Sequence, residues 1–518
     1  MVARGLRVQR RKRRSALRRR PRTTPSLLYE KFFNVPQSNC GGTWLHSQSI
    51  PVDMTYRVVV IGAGMAGVAT AKALLDSDLF KTEDVCVLEA QPRLGGRIHT
   101  RLFSDDLPVK VEAGAAWIHG TEGNPMVEFA RKFGIELKEI STRNPWLHPR
   151  SCPGFLIYNG SRRLSEEEVD ETWKWQELLL QKLQKLALSG EVEGKALDVT
   201  VKQLLTEDEE LLEIIASSNN ARERLALGLH LVETWMGSES GEMQIDAFGE
   251  IDLMGDDPGS HCLVPTGMMT FIDHLSEPLK GLVRTNTCVA SINYEDIDHV
   301  VIKCTDGRQI TADQVVVTCS LGFLKSGKLR FQPKLPRSKT EAISRSQMGQ
   351  CMKVLVRFPE VFWPENGSFI TQIVDSTGSD QQRIYFPVIF SYLSTKGVPI
   401  LEGDLIGKKA EEISRTFSDK EIAHALFLQL QETFGPDIPQ PVGLFITRWD
   451  QDEWARGAYS SVTVDSTYED PDLLRQSVAD RVFFAGEATD YEYQGALQAA
   501  YLSGKKKQRL HAAKLLLK

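Results

Sequence analysis

The first residues that could do chemistry are the three glycines of Gly62-Ala-Gly64-Met-Ala-Gly67, spaced as G-x-G-x-x-G. Between a strand and a helix, this spacing leaves backbone N–H groups and the positive end of the helix dipole open to a pyrophosphate, which any Cβ would obstruct. Glu89 follows Gly67 by 22 residues, the offset at which a carboxylate accepts hydrogen bonds from an adenosine ribose. The pattern predicts a dinucleotide site, with a structural glutamate at a strand end as the alternative for Glu89.

The elements that would position these residues lie on either side of the glycines. Residues 57–61 are a short β-branched run typical of a buried parallel strand, residues 68–79 carry apolar side chains at helical spacing, and residues 85–88 form a second apolar run. The order strand, glycine turn, helix, strand and acid predicts a βαβ unit.

Farther along the chain, the pattern changes from helices to strands. Leu/Glu/Lys segments with a helical period predict helices of a second domain, and apolar or alternating runs after residue 283 predict a return to sheet. The predicted helices are 173–188 and 201–216, and the predicted strands are 291–294, 300–304, 314–318 and 481–486, the last feeding a final helix.

The composition narrows the class of protein. Of the 518 residues, 42% are hydrophobic and 25% are charged, which excludes fibrous and wholly disordered chains. No run approaches the roughly 18 consecutive apolar residues of a membrane-spanning helix, so we predict no transmembrane segment. The eight cysteines are dispersed, without a C-x-x-C pair or a cluster with His, and predict reduced thiols and no metal site.

The N-terminus differs in charge from the rest. Residues 1–22 hold ten Arg and one Lys without an acid, and we expect residues 1–51 to be a basic tail outside the folded body. A solvated tail, an organelle-targeting segment and an incorrect gene start all fit this pattern, and nothing in it requires a nucleic acid partner. The chain ends in Leu516-Leu517-Lys518 rather than Ser-Lys-Leu, so the predicted location is the cytoplasm, with the nucleus or an organelle as alternatives.

Four segments, in order, resemble the flavin amine oxidase superfamily. Residues 93–97 (RLGGR) resemble the turn that wraps the second phosphate of FAD, and residues 112–120 (EAGAAWIHG) resemble the Gly-rich strand beneath the flavin ring. Residues 312–325 and 481–489 resemble the return strand to the cofactor and the last FAD strand. This resemblance covers roughly residues 55–510.

The resemblance implies FAD as the cofactor, bound non-covalently because no Cys follows Cys351 to form a thioether. Arg97 would contact the second phosphate, the Val289 backbone the adenine, and Glu487 the ribityl or phosphate region. The helix that begins near Leu497 would aim its dipole at the flavin pyrimidine. The implied cofactor-binding residues are Gly62, Gly64, Gly67, Glu89, Arg97, Gly114, Ala115, Trp117, Val289, Glu487 and Leu497.

Within the superfamily, residues 352–363 (MKVLVRFPEVFW) resemble the polyamine oxidase strand whose lysine, here Lys353, sits near flavin N5. By the same resemblance, His119 orients or deprotonates the amine and Tyr459 packs the alkyl chain. The alternatives, in which these residues have only structural roles, are a lysine at a sheet edge, a hydrogen-bonded histidine and a core tyrosine. The implied reaction oxidises spermine, spermidine or their acetylated forms by hydride transfer to N5, with O2 as acceptor. It gives an aldehyde, a shorter amine and hydrogen peroxide, as in polyamine catabolism.

One region departs from the family pattern. Residues 496–499 (ALQA) stand where the family often has an aromatic residue and His-Gly, so the second aromatic wall of the substrate site is missing at its usual place. Tyr491 or Tyr493 could supply that wall. The choice of polyamine, the bond that is cleaved and the oligomeric state stay open.

The implied fold class is α/β, mixed with α+β features. A discontinuous, doubly wound FAD-binding domain would comprise residues 52–130, 262–330 and 445–518. A mixed-sheet and helical substrate domain would comprise residues 131–261 and 331–444, and the active site would lie at the junction.

Three other functions remain open. A histone-lysine demethylase shares the fold, but the family members carry a long helical hairpin and a docking domain for which this chain has no evident segment. An L-amino-acid oxidase would need an Arg that clamps a carboxylate, which the sequence does not identify. A flavoprotein that serves as a scaffold without turnover is suggested by residues 496–499.

Overall fold

The computed structural model of the chain describes residues 55–246, 248, 258–374 and 384–515, with side chains described only to residue 506. The predicted basic tail of residues 1–51 lies outside the described residues. The strands are β1 (Thr55–Ile61), β2 (Val85–Leu88), β3 (Thr100–Leu102), β4 (Lys110–Glu112), β5 (Trp117–Ile118), β6 (Lys138–Ser141), β7 (Phe155–Asn159), β8 (Arg162–Arg163), β9 (His261–Leu263), β10 (Val283–Arg284), β11 (Val289–Asn293), β12 (Val300–Cys304), β13 (Gln309–Val317), β14 (Arg330–Gln332), β15 (Gln347–Gly349), β16 (Cys351–Arg357), β17 (Phe369–Ile373), β18 (Ile389–Ser391), β19 (Ile400–Ile406), β20 (Gly443–Ile446), β21 (Tyr459–Ser461) and β22 (Val482–Phe484).

The helices are α1 (Met65–Leu75), α2 (Pro125–Phe133), α3 (Glu166–Ser189), α4 (Leu197–Glu207), α5 (Glu209–Ser217), α6 (Ala221–Met236), α7 (Met269–Ser276), α8 (Leu321–Lys325), α9 (Arg337–Arg345), α10 (Leu393–Lys396), α11 (Gly407–Thr416), α12 (Asp419–Phe434), α13 (Asp470–Arg475) and α14 (Leu497–Leu515). No helix within the described ranges has the length and apolar character needed to cross a membrane.

The first large sheet is built around β1. Its strands run in the order β10-β2-β1-β13-β12-β11-β14, and β22 pairs with the C-terminal end of β13. The strands β10, β2, β1, β13 and β22 are parallel, and their carboxyl ends therefore meet at one edge. Parallel strands are usually buried on both faces of their sheet, so their residues are apolar on both sides. Alternate β1 residues accordingly enter different cores, with Val58 and Val60 under α1 and Val59 and Ile61 on the other face.

The second large sheet has the order β20-β16-β19-β18-β17-β7-β8 and is mostly antiparallel. One face packs on α11 and α12, and the other packs on α3 and α6. The strands β16 and β19 pair along their full length, which puts Lys353 opposite Asp404 and Leu355 opposite Glu402. This register decides the geometry of the site.

The predicted mixed α/β fold is confirmed. The division into two domains at the predicted boundaries stays a prediction. Two local predictions were wrong. The first helix occupies residues 65–75 rather than 68–79, because the glycine turn feeds it directly. The predicted helix 201–216 is two helices, because the extended backbone of Asp208 interrupts it and its carboxylate accepts the N–H of Leu211 to begin α5.

Candidate active site

A cavity of about 620 Å³ lies where the two large sheets approach each other. That volume falls within the roughly 300–1,000 Å³ of typical ligand and cofactor sites. Its wall includes the turn that follows β1, the paired strands β16 and β19, the strands β5 and β21, and the start of α14. Elements far apart in sequence therefore converge on one space.

The glycine turn forms one end of the cavity. Gly64 caps the start of α1 and lines the cavity with the first two helical residues, whose N–H groups have no intrahelical acceptor. Gly62 has a φ of 104°, a conformation that favours glycine. A Cβ on Gly67 would lie 1.9 Å from the Gly62 carbonyl oxygen, so this glycine allows close packing of helix and strand. Of the three glycines, only Gly64 faces the cavity.

Two of the predicted nucleotide contacts are not part of the cavity lining. Glu89 is buried, and its two carboxylate oxygens accept the backbone N–H groups of Ala63 (2.7 Å) and Gln91 (2.8 Å). Burial raises its pKa, and these hydrogen bonds only partly offset the shift. Val289 is buried in the core on the face of the first sheet opposite α1. Neither residue is part of the cavity lining, so their predicted contacts with ribose and adenine stay predictions.

Arg97 and Glu487 both line the cavity, and they are paired with each other. The Arg97 guanidinium donates to Glu487 Oε1 at 2.7 Å and to the carbonyl of Ala458 at 3.1 Å. The second oxygen of Glu487 accepts the hydroxyl of Ser460 and the N–H of Gly495. Glu487 thereby joins Arg97, β21 and the segment before α14, and it fixes the side of the cavity predicted for the phosphates.

The Gly-rich segment after β4 supports the cavity floor. A Cβ on Gly114 would lie 1.8 Å from the Arg97 carbonyl oxygen and 3.2 Å from the Trp449 ring. The Trp449 indole donates to the Ala113 carbonyl at 2.7 Å, which holds this ring against the same backbone. Gly114 and Ala115 both line the cavity, but they lie in the segment between β4 and β5 rather than in the predicted strand, and their position beneath the flavin ring stays a prediction.

These features fit FAD. The open first turn of α1, the Arg97 side chain and the α14 N-terminus at Leu497 all face the cavity. A Cβ on Gly486 would meet no atom within 4 Å, so this part of the wall borders open space. Helix N-termini and an arginine are the groups that hold an anionic dinucleotide and stabilise charge on a reduced ring.

His119 follows β5 and lies in the cavity wall. Its Nδ1 atom is 3.3 Å from Nδ1 of His261, so one ring donates to the other. The side-chain amide of Asn124 donates to the His119 carbonyl at 2.9 Å and holds the backbone. Burial lowers the pKa of His119 to about 4, so the ring is neutral at pH 7 and can share a hydrogen bond with an amine.

Lys353 lies in the cavity wall on β16, which is paired on both sides. The alternative of a lysine at a sheet edge is therefore wrong. Its ammonium lies 3.3 Å from Glu402 Oε1, and both side chains are buried. Burial alone would lower the lysine pKa, but the carboxylates of Glu402 and Asp404 outweigh burial and raise it. Lys353 is therefore charged.

Tyr459 on β21 forms another wall of the cavity. Its hydroxyl donates to the Thr234 carbonyl at 3.1 Å, at the end of α6. Gly237 ends that helix with a φ of 65°, and a Cβ there would lie 2.6 Å from the tyrosine ring. The predicted position of Tyr459 beside the substrate depends on this glycine.

Other aromatic rings complete the walls. Trp117 stacks on Phe369, with ring centroids 6.2 Å apart, and meets Trp146 edge to face at 5.0 Å. Tyr491 and Tyr493 both line the cavity before α14, on the side where residues 496–499 lack an aromatic ring. The structure thus brings the two suggested replacement tyrosines to the predicted region.

Sequence reasoning missed several residues that reach the cavity. The most important are Glu402 and Asp404, which β19 presents beside Lys353. A signal was available, because residues 400–406 (ILEGDLI) place two acids two positions apart in an apolar strand, hence on one face. Trp146, Trp235 and Tyr468 also line the cavity, but no spacing in the sequence connects them with the motifs.

Comparison with known proteins finds related sequences over most of the chain. The profile of flavin containing amine oxidoreductases matches residues 65–507. Lysine-specific histone demethylase 1 homolog 1 of Arabidopsis thaliana is 32% identical over 86% of this chain, which spans 51% of that relative. Polyamine oxidase 2 of the same plant is 29% identical over 86% of both chains. The chain thus spans about half the length of the demethylase homologue it matches.

Solved structures share the fold. Putrescine oxidase bound to putrescine superposes with a TM-score of 0.69, over 89% of this chain and 100% of that one, at 17% identity. At this identity the similarity concerns the fold alone. Among the described residues, no group of His, Cys, Asp and Glu is placed to hold a metal ion.

Proposed function

Because the chain belongs to the family of flavin-containing amine oxidoreductases and uses FAD, we propose that it oxidises polyamines. The substrate would be spermine, spermidine or an acetylated form, consumed with O2 and water. The products would be an aldehyde, a shorter amine and hydrogen peroxide. When bound, the flavin accepts a hydride from the carbon next to the amine nitrogen.

The observation that carries this proposal is the charge of the cavity wall. The described lining residues include four acidic side chains, Glu402, Asp404, Glu487 and Glu492, against two basic ones, Arg97 and Lys353. Glu402 and Glu487 are paired with Lys353 and Arg97, so Asp404 and Glu492 are the acidic groups left to attract a cation. Aromatic rings in the same wall suit the methylene segments between the nitrogens of a polyamine.

The side chains would divide the work. His119, held by His261, would orient the amine through a hydrogen bond. Tyr459 and the Trp117 ring would pack the alkyl chain and exclude water. Lys353 would hold a water molecule for the hydrolysis that splits the oxidised amine. The turn at Gly64, Arg97 and the α14 N-terminus would hold the cofactor.

The test is to purify the full chain, record its spectrum, and measure peroxide with spermine, spermidine and the acetylated forms. We expect a flavin spectrum and turnover of at least one of these amines. His119→Ala should lose turnover but keep its yellow colour. Absence of peroxide with the whole panel would refute the proposal.

A second candidate is the demethylation of methylated lysine in a histone. The 32% identity to a plant demethylase homologue favours it, and a methylated lysine is also an alkylamine. The same peroxide assay with a methylated histone H3 peptide separates the two functions. Turnover of the peptide without turnover of free polyamines would favour the demethylase.

A further inference from the structure

Asp404 has an acceptor atom that the protein does not use. Its Oδ1 atom is closed off from solvent and accepts no hydrogen bond from the described residues, although Asp404 lines the cavity. A buried carboxylate oxygen without a donor is unfavourable. The neighbouring Glu402 differs, because one of its oxygens lies 3.3 Å from the Lys353 ammonium and the other accepts the Tyr392 hydroxyl at 2.7 Å.

The surroundings do not neutralise Asp404. It also lines a smaller cavity of about 40 Å³, which Glu112, Glu402 and Lys396 share. Lys353 lies opposite Asp404 on β16, so the groups around Asp404, with Asp404 itself, comprise two lysines and three carboxylates. Lys396 donates a hydrogen bond to the Pro265 carbonyl at 2.6 Å.

The other titratable groups near Asp404 are Cys351, Tyr392 and Tyr459, whose pKa values are all raised by burial. These three are therefore neutral at pH 7. One negative charge remains when all the carboxylates are ionised.

We propose that Asp404 takes the proton from a bound substrate ammonium and so produces the neutral amine that can be oxidised. The inference rests on the proposed function and names its base. In this step an N–H bond breaks, its electron pair stays on nitrogen, and an O–H bond forms on the Asp404 carboxylate. No electron is exchanged. The proton returns to the amine product as it leaves, which restores the carboxylate.

Two physical arguments support Asp404 as the base. An ammonium and a carboxylate that are both removed from water pay a large desolvation penalty, so transfer of the proton to give two neutral groups is favoured. Burial and the charge of Glu402 raise the pKa of Asp404, and Lys353 opposes this shift only in part. A raised carboxyl pKa suits a base that works near neutral pH. His119, with a pKa of about 4, holds a proton poorly.

The experiment compares Asp404→Asn, which removes the base, with Asp404→Glu, which keeps one. The matched control is Asp450→Asn, since Asp450 also has a buried oxygen that accepts no hydrogen bond from the described residues, although Arg415 lies 4.0 Å from it, and Asp450 does not line the cavity. Flavin reduction by spermidine is followed without O2 from pH 6 to pH 10 in the purified holoproteins.

For D404N we expect reduction at pH 8, close to the pKa of about 8 to which Asp404 is raised, to be slower by about 100-fold, the lower end of what a general base contributes. Above pH 8 the deficit should shrink about tenfold per pH unit toward the amine pKa of about 10, since the neutral amine then comes from solution. D404E should keep most of the rate at pH 8, and D450N should match the wild type. D404N with the wild-type rate and pH profile would overturn the inference.

An independent readout uses a tert-alkyl amine, which has no hydrogen on the carbon next to nitrogen and cannot be oxidised. At pH 9, above the pKa of about 8 to which Asp404 is raised, its binding should produce the infrared band of a protonated carboxyl group in the wild type but not in D404N. Absence of the band in the wild type would overturn the inference. If D404N does not retain FAD, its flavin reduction has no meaning, and this infrared measurement tests the inference instead. If no amine reduces the wild-type flavin while the band appears, the proposed function fails and the proton acceptor stands.

Discussion

Replacing Lys353 by methionine should destabilise the protein in a way that depends on pH. The substitution removes the ammonium 3.3 Å from Glu402 and leaves that buried carboxylate with only the Tyr392 hydroxyl. Loss of one partner of a buried pair costs about 3–5 kcal/mol while the remaining group is charged. Protonation of Glu402 removes that charge, so the loss should be much smaller at acid pH.

The sign follows from proton linkage. In the variant, a buried carboxylate without its ammonium favours the protonated form, so the native state binds more protons than the unfolded chain. The free energy of unfolding should therefore fall as pH rises from 5.5 to 8.5. The double variant Lys353→Met with Glu402→Gln removes both charges at similar shape and should regain most of the stability at pH 8.5.

Urea unfolding of the holoproteins at pH 5.5 and pH 8.5 measures the effect. Lys328→Met is the matched control, because its ammonium lies 2.8 Å from Glu453 but both side chains are about half exposed. Exposed pairs are worth about 0–1 kcal/mol. Equal losses for the Lys353 variant at the two pH values, or no recovery in the double variant, would refute the reasoning. Any loss of activity in Lys353→Met has to be compared with this change in stability.

Four further predictions concern three glycines and Asp404. Gly67→Ala should lower the free energy of unfolding by about 1–3 kcal/mol even without cofactor, since its Cβ would overlap a backbone carbonyl at 1.9 Å. Gly64→Ala, whose Cβ would meet only an oxygen at 3.8 Å, should fold normally but bind FAD more weakly in a fluorescence titration; equal FAD affinity would contradict this role. Asp404→Asn should flatten the decline in the free energy of unfolding as pH rises from about 4 to the raised native pKa, because an asparagine does not ionise during urea unfolding. Gly237→Ala should displace the Tyr459 ring and raise the KM for the amine. Tyr459→Phe, which keeps the ring and loses one hydrogen bond, should cost about 1 kcal/mol of stability. An unchanged KM for the glycine variant would show that the ring is not part of the substrate wall.

The nucleotide end of the site was predictable because its parts are close in sequence. The strand, the glycine turn, α1 and β2 depend on local propensity and spacing, and β2 and β12 occupy the predicted residues. Helix ends were less predictable, since the interruption at Asp208 depends on one side-chain cap. The roles given to Glu89 and Val289 stay predictions, because neither residue lines the cavity in the structure.

The sequence by itself determined the glycine turn, the order of the cofactor segments and the presence of an isolated lysine in an apolar strand. Only the tertiary structure decided what that lysine meets. The pairing of β16 with β19 sets Lys353 opposite Asp404 and next to Glu402, and a shift of one residue would turn these acids to the other face. Such a register is fixed by packing of the whole sheet against its helices, and no local spacing in the chain encodes it.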